Sequence, residues 1–181
     1  TGLPVGLIGS NWGGTPAESW TKRAVLEGDP DFKPVLDRYQ KTVSNWGRIG
    51  SAYQTAYKAY QKKDSIAKAT HHKRPSRPAQ PVGPTSNKSP YKLYNAMIHP
   101  LQPFTLRGVI WYQGESNVER AYQYQKLFPA LMASWREDWK NPSLPFYFVQ
   151  ISPHRSQHPE IREAQRLAYL NTPFTGMVVT T

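Results

Sequence analysis

Four short apolar runs punctuate the chain: Val5 to Ile8, Leu106 to Tyr112, Phe146 to Ile151 and Met177 to Thr180. Each is rich in β-branched or aromatic residues and is bounded by Gly or Pro, so each is expected to form a strand. The first two do not alternate polar with apolar positions, which suits central parallel strands covered on both faces. Between the runs the period becomes helical. Thr15, Pro16 and Glu18 predict a helix start, with Thr15 as N-cap, Pro16 at the first helical position and Glu18 closing a capping box. Asp31 to about Lys63 predicts one or two long helices, broken or kinked at Gly47 and Gly50. Tyr122, Leu127, Leu131 and Trp135 recur at near-helical spacing within Val118 to Lys140. Glu160 to Leu170 predicts a further helix. Strands alternating with helices imply an α/β fold, a parallel sheet with helices on both faces.

The stretch from His71 to Pro90 departs from this pattern. It holds five prolines and several basic residues and has no apolar periodicity. It is expected to be an extended surface loop, exposed, mobile and dispensable for folding. With the helical stretch before it, it forms a helical and Pro-rich basic insertion over about 31–90. There is no internal repeat.

Composition narrows the function classes. A chain of 181 residues is long enough for one domain with a substantial core. Six Trp and eleven Tyr exclude a disordered chain and suit a sugar-facing surface, although most aromatics are expected in the core. The absence of cysteine excludes a disulfide framework and a thiolate metal site, and no metal or cofactor is expected. No run of eighteen apolar residues is present to span a membrane, and no signal peptide is seen. The formal net charge is +11. Between Lys58 and Lys92 lie Lys62, Lys63, Lys68, Lys73, Arg74, Arg77 and Lys88 against a single acid, Asp64. Localised charge of this kind is usually a solvated face. No nucleic-acid-binding motif accompanies it, so nucleic acid is not expected as a partner.

In open parallel sheets, ligands bind beyond the carboxyl ends of the strands. After the first run comes Gly9-Ser10-Asn11-Trp12-Gly13-Gly14-Thr15. Two glycines before a helix can present backbone N–H groups to an oxyanion, and the plainer alternative is a tight turn. No Lys follows the glycines, which disfavours a phosphate loop. After the second run comes Trp111-Tyr112-Gln113-Gly114-Glu115-Ser116-Asn117. Gln113 and Asn117 carry amides that can donate to an oxyanion, and Glu115 can orient a histidine or act as acid or base. The alternative is a loop in which Ser116 or Asn117 caps the following helix. After the third run, His154 is the most site-like of the five histidines by position, with an ordinary loop histidine as the plainer alternative. Arg162 and Gln165 sit three apart on a helix face and can either reach the site or hold loops in place.

These motifs carry a family resemblance. Leu7 to Thr15 with Glu18 and Trp20, Leu93-Tyr94-Asn95-Ala96-Met97-Ile98-His99-Pro100-Leu101, Trp111 to Asn117, and Arg162-Glu163-Ala164-Gln165 resemble, in order, conserved blocks of the sialate O-acetylesterases. That family belongs to the SGNH hydrolases. The resemblance implies a three-layer α/β/α fold of SGNH/flavodoxin-like type, with residues 1–181 as a partial esterase domain. It implies an oxyanion N–H from Gly13 or Gly14, with Gly14 favoured. Gln113 would add a side-chain amide, Asn117 standing second, and Glu115 would lie near the catalytic histidine. Trp12, Tyr112, Arg162 and Gln165 become candidate substrate contacts. The implied substrate is an O-acetylated carbohydrate, foremost 9-O-acetyl sialic acid, and the implied location is periplasmic or secreted. Related acetylxylan esterases carry a similar Gln-Gly-Glu, so that activity is the first alternative. A non-catalytic carbohydrate- or polyanion-binding module is the second.

Two departures matter more than the matches. The family's Gly-Gln-Ser-Asn nucleophile block and its Asp-Ile-His-Pro type histidine block do not occur in this sequence. Ser116 does not replace the nucleophile, because Val118 stands where the closing glycine of a nucleophile elbow belongs. The expectation is that this chain alone is inactive and that a complementing chain carries the missing segments.

Overall fold

In the computed structural model, which describes residues 2–154 and 158–180, three strands form one parallel sheet. They are β1 (Val109–Trp111), β2 (Phe146–Gln150) and β3 (Thr175–Val179), with β2 in the middle. Ile110 lies opposite Tyr147, and Tyr147 opposite Gly176. A Cβ on Gly176 would come within 2.7 Å of the Tyr147 ring, so the ring rests against bare glycine backbone. Along β2, burial follows the two-residue period: Phe146, Phe148 and Gln150 are buried and Tyr147 is exposed.

The buried face is covered by α4 (Ala121–Asp138) and α5 (Pro159–Asn171). Tyr124, Leu127, Phe128, Leu131, Met132 and Trp135 recur at i, i+3, i+4, i+7, i+8 and i+11, a continuous buried stripe. Phe128 stacks on Trp111 at 5.8 Å and meets Phe148 edge-on at 5.0 Å. Burying a side chain of that size contributes about 1.5–3 kcal/mol. Arg136 of α4 is buried as well, and its guanidinium donates to the carbonyls of Leu144, Pro173 and Phe174, tying together the loops that lead into β2 and β3. On the other face of the sheet Ile110, Tyr147 and Val178 are exposed. The sheet has flanking helices, as the α/β pattern requires, but among the described residues one face is covered rather than both.

The largest departure is at the start of the chain. Val5 to Ile8 is not a strand; Leu3, Val5 and Leu7 are exposed, and nothing here pairs with β1. Gly6 interrupts the run and Gly2 and Gly9 flank it, so ordering it costs more backbone entropy and leaves fewer side chains to bury. The capping box does not form either: residues Ala17–Ser19 make one 3-10 turn. Thr15 Oγ1 accepts from Trp20 Nε1 at 2.9 Å, and the Glu18 carboxylate is drawn to side chains a hundred residues away. The expected helix from Val118 begins instead as a 3-10 segment, Glu115–Arg120, before α4.

The insertion contains α2 (Lys33–Ser44) and α3 (Trp46–Ala69), preceded by the short α1 (Arg23–Gly28). Gly47 and Gly50 lie inside α3 without breaking it. The break falls at Asn45, whose side-chain amide donates back to the Lys41 carbonyl at 2.9 Å. Glycine in a helix costs about 1 kcal/mol but does not by itself end one. Residues 71–90 hold no helix or strand, as expected, yet they are strapped to the helices rather than free. Arg74 grips Asp64 through two hydrogen bonds, and Arg77 lies 5.0 Å over the Tyr57 ring. The backbone of Gly83 runs under the Trp46 indole, and Ser89 and Pro90 are buried. Among the described residues no helix is long and apolar enough to cross a membrane.

Candidate active site

The loop after β1 and the glycine turn meet at the carboxyl end of β1. They enclose a cavity of about 550 Å³ lined by Trp12, Gly13, Gly14, Tyr112, Gln113 and Glu115, among others. Gly14 has φ +68°, a left-handed conformation that costs any other L-residue about 1–2 kcal/mol. Gly13 and Gly14 lie in a turn outside any helix or strand, with open space where a Cβ would stand. Gly114 is glycine for a different reason. A Cβ there would sit 2.9 Å from Ile151 Cγ2 and 3.0 Å from Gln165 Nε2. The loop is therefore pressed against the end of β2 and the face of α5.

A chain of buried amides locks the turn to this loop. Asn117 Oδ1 accepts from the Ala17 N–H at 2.9 Å, and Asn117 Nδ2 donates to Glu18 Oε2 at 2.8 Å. These two partners, a donor and a carboxylate, fix which end of the Asn117 amide is which. Gln113 must then present its Nε2 to Asn117 Oδ1, at 2.7 Å, and the same nitrogen donates to the Thr15 carbonyl at 3.2 Å. Both Gln113 amide protons are thereby committed, and the group left without a partner is its buried Oε1, an acceptor. Gln113 does lie within reach of the glycine turn, but in this arrangement it braces the turn rather than donating beside it. Asn117 does not line the cavity; it is buried with both ends of its amide hydrogen-bonded elsewhere, so the geometry does not support its expected oxyanion role.

The remaining candidates separate cleanly. Trp12 and Tyr112 are exposed at the cavity and can face a sugar. Glu115 is exposed on the same rim. Gln165 is 0% exposed: its Oε1 accepts from the Ile151 N–H at 3.0 Å and its Nε2 donates to the Gln113 carbonyl at 3.0 Å. Arg162 donates to Gln150 Oε1, and Gln150 donates back to the Arg162 carbonyl, both at 2.9 Å. Neither lines the cavity; these two side chains hold loops, the second of the two readings their spacing allowed. His154 is exposed and lies outside the cavity lining. The Tyr124 hydroxyl, 3.5 Å from the Gln113 carbonyl, lies in the core behind this loop; burial pushes its phenol well above the usual range, so it stays protonated as a donor. Among the described residues no three His, Asp or Glu side chains converge as a metal site would.

Sequence reasoning missed the partners of Glu18. This carboxylate is buried, and its Oε1 accepts from Arg120 Nη2 at 2.9 Å with Arg38 Nη2 at 3.8 Å. Ser10, Thr15, Trp20 and Ser116 also line the cavity. The one signal in the sequence is a charged residue set between Ala17 and Trp20, a position equally compatible with a helix cap.

Comparison with known proteins decides the family. A family model described as carbohydrate esterase, sialic acid-specific acetylesterase, matches residues 82–181. The chain belongs to this acetylesterase family. Sialate O-acetylesterase of Rattus norvegicus is 34% identical over 188 residues, covering 94% of this chain and 31% of the rat protein. The Homo sapiens protein of the same name is 34% identical over 157 residues, covering 82% of this chain and 22% of its own length. The crystal structure of a carbohydrate acetylesterase from Xanthomonas citri superposes with a TM-score of 0.61 at 29% identity, over 99% of this chain and 31% of that one. The chain thus spans less than a third of the length of the acetylesterases it matches.

Proposed function

We propose that this chain supplies the oxyanion-binding turn and one wall of the substrate cavity of a carbohydrate O-acetylesterase, with 9-O-acetyl sialic acid as the foremost substrate. The observation that carries the reading is the single cavity in which Gly13, Gly14, Gln113 and Glu115 meet at the carboxyl end of a parallel strand. The relatives named for acetyl-ester chemistry on sugars support it.

The chemistry follows the serine-hydrolase pattern. A serine Oγ adds to the acetyl carbonyl as a histidine takes its proton, and charge develops on the carbonyl oxygen. The N–H of Gly14, with that of Gly13, stabilises this oxyanion. The intermediate collapses by expelling the sugar oxygen, which receives the proton from histidine. Water then releases acetate from the serine. Glu115 on the rim orients the histidine, and Trp12 and Tyr112 stack on the sugar. Gln113 and Asn117 hold the turn in its donating shape. The serine and histidine belong to the family blocks that do not occur in this sequence, and we assign them to a complementing segment.

The test is an assay of the 181-residue chain on an activated acetyl ester and on O-acetylated sialic acid, with and without a polypeptide carrying those two blocks. The expected result is background hydrolysis by the chain alone and turnover of about 1 per second or more with the complement. Enzymatic turnover by the chain alone that Ser116→Ala or Ser10→Ala abolishes would overturn the assignment.

A further inference from the structure

A second cavity, of about 430 Å³, adjoins the glycine turn and shares Gly14 and Ser116 with the first. Its charged lining is Glu18, Arg38, Lys88 and Arg120. Three cations face one carboxylate, a surplus of two positive charges. Arg38 comes from α2, Lys88 from the 71–90 strap and Arg120 from the segment leading into α4. Three stretches far apart in sequence thus converge beside the turn.

Glu18 cannot neutralise this group. Its Oε2 is committed to Asn117, and its Oε1 is shared between Arg120 at 2.9 Å and Arg38 at 3.8 Å. Among the described residues Lys88 forms no ion pair. Arg120 Nε is buried with no hydrogen-bond partner, an unspent donor in a site that already holds two guanidinium groups. Burial and then the charge of Arg120 push the Arg38 guanidinium below its ordinary value, with Glu18 opposing them less strongly. Like charges held together around a buried, braced carboxylate form a preorganised receptor for an anion. Arg38 and Lys88 are exposed where they line this cavity, so an anion can reach them from solvent.

We propose that this cavity takes the carboxylate of an acidic sugar, held by Arg38, Arg120 and Lys88, while the acetyl ester of the same molecule lies at the Gly13–Gly14 turn. The placement of the ester rests on the esterase reading above; the affinity for a carboxylate does not. A carboxylate can come from a sialic acid or from a uronic acid, and the two are distinguished by their own probes.

The experiment is calorimetric titration of the chain with N-acetylneuraminic acid and its methyl ester, and with galacturonic acid and its methyl ester, at low and at moderate salt. At least one free acid should bind about tenfold more tightly than its ester, a difference of about 1.4 kcal/mol. Added salt should weaken that preference, as for any partly screened ion pair. Preference confined to the first pair assigns a sialic acid; preference in the second pair admits uronic acids. Arg38→Gln and Lys88→Met should each reduce the preference severalfold while leaving the thermal midpoint of the chain in place. Arg120→Lys, which keeps charge but loses the planar fork, should fall between wild type and Arg38→Gln. Equal affinity for acid and ester in both pairs, or a preference untouched in the Arg38→Gln, Lys88→Met double variant, would overturn the proposal. Failure of the esterase reading looks different: the complemented chain would release no acetate while the acid-over-ester preference persisted.

Discussion

Helices α3 and α4 are both long, yet they are held by different physics. The 18-residue α4 buries nine of its side chains, and the 24-residue α3 buries two, Asp64 and Ala67. The first is folded onto the sheet by apolar burial. The second is held from outside, by a strap that reaches back with Arg74 onto Asp64 and Arg77 onto a ladder of Tyr53, Tyr57 and Tyr60. Apolar burial is summed over many contacts and tolerates no single loss cheaply. A strap held by exposed arginines on a few partners is weaker per contact and opens locally without unfolding the rest.

The sharpest way to break this contrast is a matched pair of truncations. Phe128→Ala empties a fully buried site between Trp111, Tyr124 and Phe148. Its expected cost is about 3–5 kcal/mol in urea unfolding. Tyr57→Ala, at the centre of the tyrosine ladder, should cost no more than about 1 kcal/mol. Similar losses for both would show that α3 is integral to the same cooperative core.

Two glycines sharpen the comparison at the site itself. Gly114→Ala forces a methyl group against Ile151 and Gln165, and overpacking of this kind costs about 1–3 kcal/mol. Gly14→Ala meets open space but must hold φ +68°, a cost of about 1–2 kcal/mol, and it should relax by rotating the turn. Thermal unfolding orders the two variants by stability. Hydrolysis by the complemented chain should fall more than a hundredfold in Gly14→Ala if its N–H serves the oxyanion, the order seen when one such donor is lost.

Much of the core was legible because α4 repeats its apolar residues with a helical period. Even there Tyr122, counted toward the stripe, is exposed, and Tyr124 takes the buried position. Gly14, Gln113 and Glu115 were expected to meet because two apolar runs were to share a sheet edge; they do meet at the carboxyl end of β1, but the first run forms no strand, and buried amides hold the turn there instead. What could not be read was the sense of each amide. Asn117 and Gln113 are oriented by Ala17 and Glu18, roughly a hundred residues away, and no local pattern carries that information. The largely exposed, irregular character of residues 71–90 was legible, but their anchoring contacts were not, for the same reason. A proline-rich stretch without period resembles a free loop until a tyrosine ladder and a buried aspartate stand opposite it. Val5 to Ile8 failed in the other direction: its composition suits a strand, but a strand needs a partner, and β1 offers three residues.

The smallest expected effect is an acid-induced release of the strap. Arg74, then Lys68, hydrogen-bond Asp64 and hold its carboxyl below the ordinary aspartate value. A carboxylate whose folded value is depressed stabilises the folded arrangement above its unfolded value, near pH 4, and this contribution disappears as pH falls through the folded value. Arg74 stays charged throughout, so protonation of Asp64 is the event that breaks the grip. Residues 72–82 should therefore gain amide exchange and protease sensitivity below about pH 4, while α4 and the sheet keep their protection. Asp64→Asn should produce the same local opening at neutral pH with little change in the global unfolding midpoint. Exchange that rises in α4 and in the strap together as pH is lowered would mean that the two regions unfold as one unit, and the division between a core-held and a strap-held helix would fail.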